Sequence, residues 1–139
     1  MTSDSKKPTT GGCLCGALRY EADGEPKASG HCYCGDCRKA SGSGFIPFMA
    51  FPASAVRLTG KTAVFESRAA NGNTATRNFC PVCHSLVLGG AIGKDDTYNI
   101  YAGSLDEPSL FHPTIAVFTR GRPEWAVIPP ILKVLDIGK

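Results

Sequence analysis

Cysteines are the residues of this chain whose type and spacing are best suited to chemistry. The sequence contains seven, in the groups Cys13-Leu-Cys15, Cys32-Tyr-Cys34-Gly-Asp-Cys37 and Cys80-Pro-Val-Cys83. Residues i and i+2 of an extended segment project to the same face, so a C-x-C pair presents two sulfurs to one ion. A C-x-x-C pair does so from a tight turn, which Pro81 suits because its φ is fixed. The spacing therefore predicts metal binding.

Seven thiols divide naturally into four and three. Zinc takes four protein ligands in a structural site, and three plus an open position in a catalytic one. In one grouping, the trio Cys32, Cys34 and Cys37 chelates one ion locally, and Cys13, Cys15, Cys80 and Cys83 form a four-sulfur site. In the other, Cys13, Cys15, Cys32 and Cys34 share one ion, and Cys37, Cys80 and Cys83 share the second. The residues alone leave both groupings open.

A purely structural module with two zinc ions is the main alternative to a catalytic centre. A histidine would then complete the second site, and the chain offers His31, His84 and His112. Neighbouring residues of a strand point to opposite faces, so we do not expect His31 to share an ion with Cys32. Neither common ferredoxin spacing is present, which argues against an iron–sulfur cluster.

Composition limits the classes of protein to which the chain can belong. Its 139 residues are enough for one domain, and 42% hydrophobic and 19% charged residues are typical of a globular chain. The net charge of +3 is too small to indicate a nucleic-acid or membrane-surface partner by itself, and the absence of a Lys/Arg-rich run weighs against nucleic acid. No apolar run is long enough to cross a membrane. Because Met1–Thr10 is polar, unlike a secretory signal, we expect a cytoplasmic protein with reduced cysteines.

Short β-strands account for most of the predicted secondary structure. One short helix is expected at Asp36–Ala40, with a further turn near Pro52–Ala55. Turns are marked by Asp23-Gly24, Thr59-Gly60, Asn71-Gly72 and Gly89-Gly90. Alternating, aromatic or branched residues predict the following strands: Gly16–Ala22, Phe45–Phe51, Ala63–Ser67, Thr74–Phe79, Ser85–Leu88, Thr97–Ala102 and Ile115–Thr119. This pattern predicts a mostly β, largely antiparallel fold.

We expect a flexible tail over residues 1–8, one zinc-binding domain over 9–126, and an extension over 127–139 packed on or near it.

Three stretches give the chain a resemblance to the glutathione-dependent formaldehyde-activating family, also called the centromere-protein-V/GFA domain. They are Gly11-Gly-Cys-Leu-Cys-Gly-Ala-Leu-Arg-Tyr20, His31-Cys-Tyr-Cys-Gly-Asp-Cys-Arg-Lys-Ala-Ser-Gly-Ser-Gly-Phe45 and Arg77-Asn-Phe-Cys-Pro-Val-Cys-His-Ser85. Ala102-Gly-Ser-Leu-Asp106 and Arg122-Pro-Glu-Trp125 resemble later family motifs. Two positions depart from the pattern: His84 stands where the family usually has Gly, and Ala116 where a His is often found.

The resemblance implies a fold of the β-tent type with two zinc ions per chain. Cys13, Cys15, Cys80 and Cys83 would hold the structural zinc. Cys32, Cys34 and Cys37 would hold the second zinc and keep an open position for a thiol such as glutathione. The implied activity is that of a carbon–sulfur lyase, the addition of glutathione to formaldehyde or its reversal.

Other functions and residues remain open from the sequence. The chain could be a zinc-stabilised, non-catalytic binding module, or a redox sensor that uses the trio. Arg38, Lys39 and Arg77 flank the cysteines and could bind the carboxylates of a substrate, although solvated surface charges are the commoner role of such residues. Tyr101 and Trp125 are expected to pack in the core.

Overall fold

The computed structural model describes residues 7–69 and 72–135, in which eleven strands form two sheets. The strands are β1 (Thr9–Gly12), β2 (Arg19–Ala22), β3 (Ala28–Cys32), β4 (Ile46–Pro52), β5 (Val56–Thr59), β6 (Ala63–Arg68), β7 (Thr74–Phe79), β8 (Leu86–Gly89), β9 (Thr97–Tyr101), β10 (Ile115–Val117) and β11 (Lys133–Leu135). One sheet has the order β1-β2-β5, and the other has the order β11-β10-β3-β4-β9-β8-β7-β6. The prediction of a mostly β fold is confirmed.

Strand pairing is antiparallel except at β10, which runs parallel to both of its neighbours, β3 and β11. The predicted largely antiparallel fold is confirmed, and the two parallel pairings of β10 make the large sheet mixed. The pattern of short apolar runs indicates strands but contains no signal for their direction, because direction follows from the path of the connections.

Two of the strands that the sequence pattern missed carry glycine where other strands approach closely. A β-carbon at Gly11 of β1 would overlap the Tyr20 hydroxyl, and one at Gly30 of β3 would overlap the carbonyl oxygen of Ile115. Glycine normally weakens a strand, so these segments do not look like strands from their composition. The close packing that requires glycine is visible only in the folded chain.

The main core contains side chains from both sheets. Tyr20 of β2, Phe51 of β4 and Ile100 of β9 are each at most 1% exposed and belong to one apolar cluster. A second cluster joins Tyr33 and Ala116 to the C-terminal segment through Ala126 and Leu132. Residues 127–135 thus contact the rest of the fold, with β11 paired to β10. Lys7 and Pro8 are exposed, and the remainder of the predicted tail, like residues 136–139, lies outside the described part of the chain.

The predicted short helix is confirmed as α1, which spans Gly35–Ser41. Cys34 is its N-cap, and Gly42 ends it with a φ of 70° and an N–H bonded to the Arg38 carbonyl. The chain also forms 3-10 turns at Ala53–Ala55, Ala102–Ser104 and Pro108–Leu110. None of the helices in the described residues is long and apolar enough to cross a membrane.

Candidate metal centres

Four thiols meet between the turn that follows β1 and the turn that joins β7 to β8. The sulfurs of Cys13, Cys15, Cys80 and Cys83 all lie within 4.8 Å of one another. Backbone amides point at two of them: Leu18 N–H donates to Cys13 Sγ at 3.2 Å, and Val82 N–H donates to Cys80 Sγ at 3.3 Å. Such N–H donors stabilise sulfur in its anionic form, which is the form that binds metal.

The turn around Cys83 has two local supports. The hydroxyl of Ser85 lies 3.1 Å from Cys83 Sγ and lowers the pKa of this thiol to about 5. His84 adopts a left-handed backbone with a φ of 66°, and its N–H donates to the Cys80 carbonyl at 2.8 Å. His84 therefore adopts the left-handed backbone conformation that glycine adopts readily, although a residue with a β-carbon adopts it less readily.

Three thiols form the second group, at the junction of β3 and α1. Cys32 ends β3, Cys34 caps α1, and Cys37 lies buried in the first turn of the helix. Their sulfurs also lie within 4.8 Å of one another, and no fourth His, Cys, Asp or Glu joins them among the described residues. Hydrogen bonds from Cys32 and Cys37 lower the pKa of Cys34 to about 2, whereas the contacts with Cys32 and Cys34 raise the pKa of Cys37. The trio thus concentrates negative charge on Cys34 first.

Both thiol groups fit zinc in their chemistry and spacing. Zn–S bonds of about 2.3 Å in a tetrahedral arrangement place sulfurs about 3.8 Å apart. Cys13 Sγ and Cys15 Sγ lie 3.7 Å apart, and Cys15 Sγ and Cys80 Sγ lie 3.8 Å apart. Two cysteine-rich groups that could hold metal ions are therefore present. They match the first of the two groupings that the sequence left open, in which Cys32, Cys34 and Cys37 form one group and the other four cysteines form the second.

A cleft of about 580 Å³ opens beside the trio. Along β9, Tyr98 and Ile100 are buried in the core, while Thr97, Asn99 and Tyr101 line the cleft, as the two-residue period of a strand requires. Strands β4, β6, β7 and β8, together with α1, the end of β10 and loop residues that include Gly90 and Asp95, provide most of the remaining wall. All three cysteines of the trio face this space.

Arg77 is the buried cation of the cleft. Its side chain is 8% exposed, Nη2 lies 3.9 Å from Cys37 Sγ, and Nη1 donates to the Ser67 hydroxyl at 3.3 Å. Burial disfavours the charged form of the guanidinium, but the electrostatic influence of Tyr101 and Cys37 and the hydrogen bond to Cys37 oppose this, and the pKa of Arg77 is raised. The sequence marked Arg77 only as one of several charges near cysteines.

Tyr101 lines the same cleft. The sequence predicted only a role in core packing for this residue. Burial raises the pKa of its phenol well above the ordinary value, and the guanidinium of Arg77 opposes this shift. The phenol therefore stays protonated at neutral pH and remains a hydrogen-bond donor. Gly89 makes room for it, since a β-carbon there would lie 2.6 Å from the Tyr101 hydroxyl.

Several other candidate residues do not line the cleft. Lys39 and His112 are exposed, and Trp125 is 68% exposed rather than packed in the core. His31 stacks on Phe45 with ring centroids 4.0 Å apart and belongs to neither thiol group. Ala116 is buried in the second apolar cluster and does not line the cleft, so the absence of a His there removes no cleft side chain.

A mostly β protein with two cysteine groups fitted to metal ions is the class that this fold and these sites define. The family profile "Glutathione-dependent formaldehyde-activating enzyme" matches residues 8–121, and the chain belongs to this family. No curated protein matches the chain. Among solved structures, a structural-genomics protein from Rhodobacter sphaeroides is similar, with a TM-score of 0.56 and 17% identity over 75% of this chain and 96% of its own. That likeness concerns the fold alone.

Proposed function

We propose that the protein is a zinc-dependent carbon–sulfur lyase that adds a thiol such as glutathione to a small aldehyde such as formaldehyde, or reverses that addition. The observation that carries this proposal is the group of three thiols facing a cleft of about 580 Å³ with no fourth protein ligand among the described residues. Membership of the family supports a function related to glutathione and formaldehyde.

Cys32, Cys34 and Cys37 would hold the zinc of the catalytic site. When bound there, zinc would supply a Lewis acid that stabilises a thiolate at neutral pH. The surrounding wall would exclude bulk water from the thiol, with Ile46, Phe48 and Val117 as its apolar members. The trio is held in place because Cys34 caps the helix that carries Cys37.

Tyr101 is suited to the oxygen of the aldehyde. In the addition a carbon–sulfur bond forms, the electron pair of the carbonyl bond moves to oxygen, the thiol loses its proton and the oxygen gains one. Negative charge therefore develops on the oxygen, and a neutral hydroxyl that donates a hydrogen bond stabilises it. The phenol of Tyr101 remains protonated and lines the same cleft as the trio.

Cys13, Cys15, Cys80 and Cys83 would bind a structural zinc. This group joins the β1–β2 connection to the β7–β8 connection, segments separated by 65 residues between Cys15 and Cys80. A metal that binds such distant segments stabilises the folded chain in the same way as a long-range cross-link. The two thiol groups would therefore divide structural and catalytic work.

The test compares Cys34→Ser with Cys80→Ser in full-length protein, measuring zinc content, folding and thiol–aldehyde exchange. Exchange between free and hydroxymethylated glutathione is followed by NMR in the presence of formaldehyde. We expect wild-type protein to bind two zinc ions and accelerate exchange. Cys34→Ser should stay folded with one zinc and lose the acceleration, whereas Cys80→Ser should unfold.

Two results would contradict the proposal. Cys34→Ser protein that accelerates exchange as well as wild type would exclude the trio from catalysis. Equal unfolding of both variants would favour a structural module with two zinc ions. Tyr101→Phe adds a finer test, since it should slow exchange about tenfold or more without changing zinc content.

A further inference from the structure

Arg77 differs from the surface arginines in the kind of side chain that it contacts. Arg57 pairs with the carboxylates of Asp23 and Glu21 at 2.6 Å and 2.8 Å, and Arg19 pairs with Asp106. Arg77 makes no ion pair with a carboxylate among the residues that the structure describes. Its Nη2 instead lies 3.9 Å from the sulfur of a thiol, that of Cys37 in the trio.

The position of this guanidinium is set by its strand neighbours. In β7 it stands opposite Phe65 of β6 and Gly89 of β8. Because Gly89 has no side chain, the Tyr101 hydroxyl can approach from the other side. The Ser67 hydroxyl accepts a hydrogen bond from Nη1, while Nε is buried and has no partner in the described chain. Ser67 therefore holds Nη1, while Nη2 is directed at Cys37 of the trio.

A buried charge without a counter-charge is strongly unfavourable, so the fold must supply one. A divalent ion held by three thiolates has a formal charge of minus one. A site with this charge repels a further anion, although the thiolate of a substrate is itself an anion. One fixed positive charge against the trio would offset the charge of the metal-loaded trio itself and reduce that repulsion. Asp36, Asp95 and Arg68 also line the cleft, but the guanidinium of Arg77 contacts a sulfur of the trio.

We propose, on the basis of the proposed function, that Arg77 is a positioning residue that neutralises the metal-loaded trio and so allows an anion to bind as the fourth ligand. The proposal predicts selectivity by charge. Anionic ligands depend on Arg77, whereas neutral ligands of similar size do not. A residue needed only for packing would affect both kinds of ligand alike.

The experiment uses full-length protein loaded with Co²⁺, whose visible absorption reports ligands at a site with an open position. The anionic probes are thiocyanate and mercaptoethanol, which loses its proton and binds as the thiolate, and imidazole is the neutral probe. We compare wild type, Arg77→Met and Arg77→Lys. The matched control is Arg68→Met, which removes a second arginine from the cleft wall. Nη1 of Arg68 donates to the Gly72 carbonyl at 3.0 Å.

We expect Arg77→Met to weaken both anionic probes at least about tenfold and to change imidazole affinity less than about twofold. Arg77→Lys should restore much of the anion affinity, and Arg68→Met should behave like wild type. Equal weakening of anions and imidazole, or no weakening of either, would overturn the proposal. If Arg77→Met fails to hold Co²⁺ at the trio, retention by Arg77→Lys supports a role of charge and its failure overturns it.

The outcome is separable from that of the proposed function. Ligand binding is measured without aldehyde, so charge selectivity can be present in a protein that does not accelerate thiol–aldehyde exchange. Conversely, an active enzyme whose anion affinity is unchanged in Arg77→Met would contradict this inference alone.

Discussion

The backbone N–H of Cys37 donates a hydrogen bond to the sulfur of Cys34 at 3.1 Å, so one residue both caps α1 and lines the cleft. The cap and the thiol group are thereby coupled. The start of the helix sets the position of Cys37 relative to Cys34, and any ion bound by the trio would stabilise the same turn.

This coupling predicts different costs for two substitutions of one residue. Cys34→Ser and Cys34→Ala should both remove the metal from the trio. Serine can still cap the helix, whereas alanine cannot, so Cys34→Ala should be less stable by about 1 kcal/mol. The difference is measured by denaturant unfolding of Cys34→Ser and Cys34→Ala, both without metal at the trio. Equal stabilities would mean that the cap contributes nothing to the fold.

The left-handed backbone at His84 predicts a stabilising substitution. A residue with a β-carbon pays about 1–2 kcal/mol in this conformation, and glycine recovers part of that at an entropic cost in the unfolded chain. His84→Gly should therefore raise the free energy of unfolding by about 0.5–1 kcal/mol. His84→Ala is the matched control, since it removes the imidazole but keeps the β-carbon. A gain in the alanine variant as large as in the glycine variant would assign the effect to the ring instead.

Gly30 predicts a strongly destabilising substitution. A β-carbon at this position of β3 would overlap the backbone of Ile115 in the parallel partner strand β10. Gly30→Ala should lower the free energy of unfolding by about 1–3 kcal/mol, because one of two hydrogen-bonded strands must move. Gly103→Ala is the control, since a β-carbon there would meet nothing within 4 Å. Thermal unfolding of the two variants should separate them clearly.

The ion pair between Arg19 and Asp106 predicts a pH dependence on the acid side. The hydrogen bond from Arg19 holds the pKa of Asp106 below its ordinary value, and Thr10 donates a second hydrogen bond at 2.8 Å. A carboxyl whose pKa is lower in the folded state stabilises the fold above its unfolded pKa, and this contribution disappears as the pH falls through the folded value. The stability difference between wild type and Asp106→Asn should thus be present near neutrality, begin to fall near about pH 4 and vanish only below the folded-state pKa of Asp106.

The control for this prediction is salt. Both side chains are partly exposed, at 41% and 45%, so the difference between wild type and Asp106→Asn should shrink at high ionic strength. An NMR titration in which Arg19→Met leaves the pKa of Asp106 unchanged would contradict the role of this pair.

Local sequence was sufficient to predict the elements whose signal lies within a few residues. Strand β7 has the predicted bounds, Thr74–Phe79, and α1 extends the predicted Asp36–Ala40 by one residue at each end. Gly24, Gly60, Gly72 and Gly90 in the predicted turns all have positive φ. These features depend on backbone preferences and short-range hydrogen bonds, which sequence neighbours largely determine.

Long-range packing decided what the sequence could not show. Positions 11 and 30 require glycine because atoms of neighbouring strands lie where a β-carbon would be, and this is visible only in the folded chain. Tyr101 looks like a core aromatic by type, but its place in β9 alternates with buried Tyr98 and Ile100 and so faces the cleft. Nothing near Arg77 in sequence indicates that it meets Cys37, forty residues away along the chain.

The sequence by itself determined that seven thiols occur in three chelating clusters, because the distance between residues two or three apart is restricted by the chain itself. Only the tertiary structure decided that the first and last clusters share one site while the middle cluster stands alone beside a cleft. Strand pairing brings those distant segments together, and the burial of Arg77 and Tyr101 next to the trio follows from the same pairing. Such contacts form only when the whole chain folds, because they depend on many interactions between distant segments and not on the sequence of any one segment.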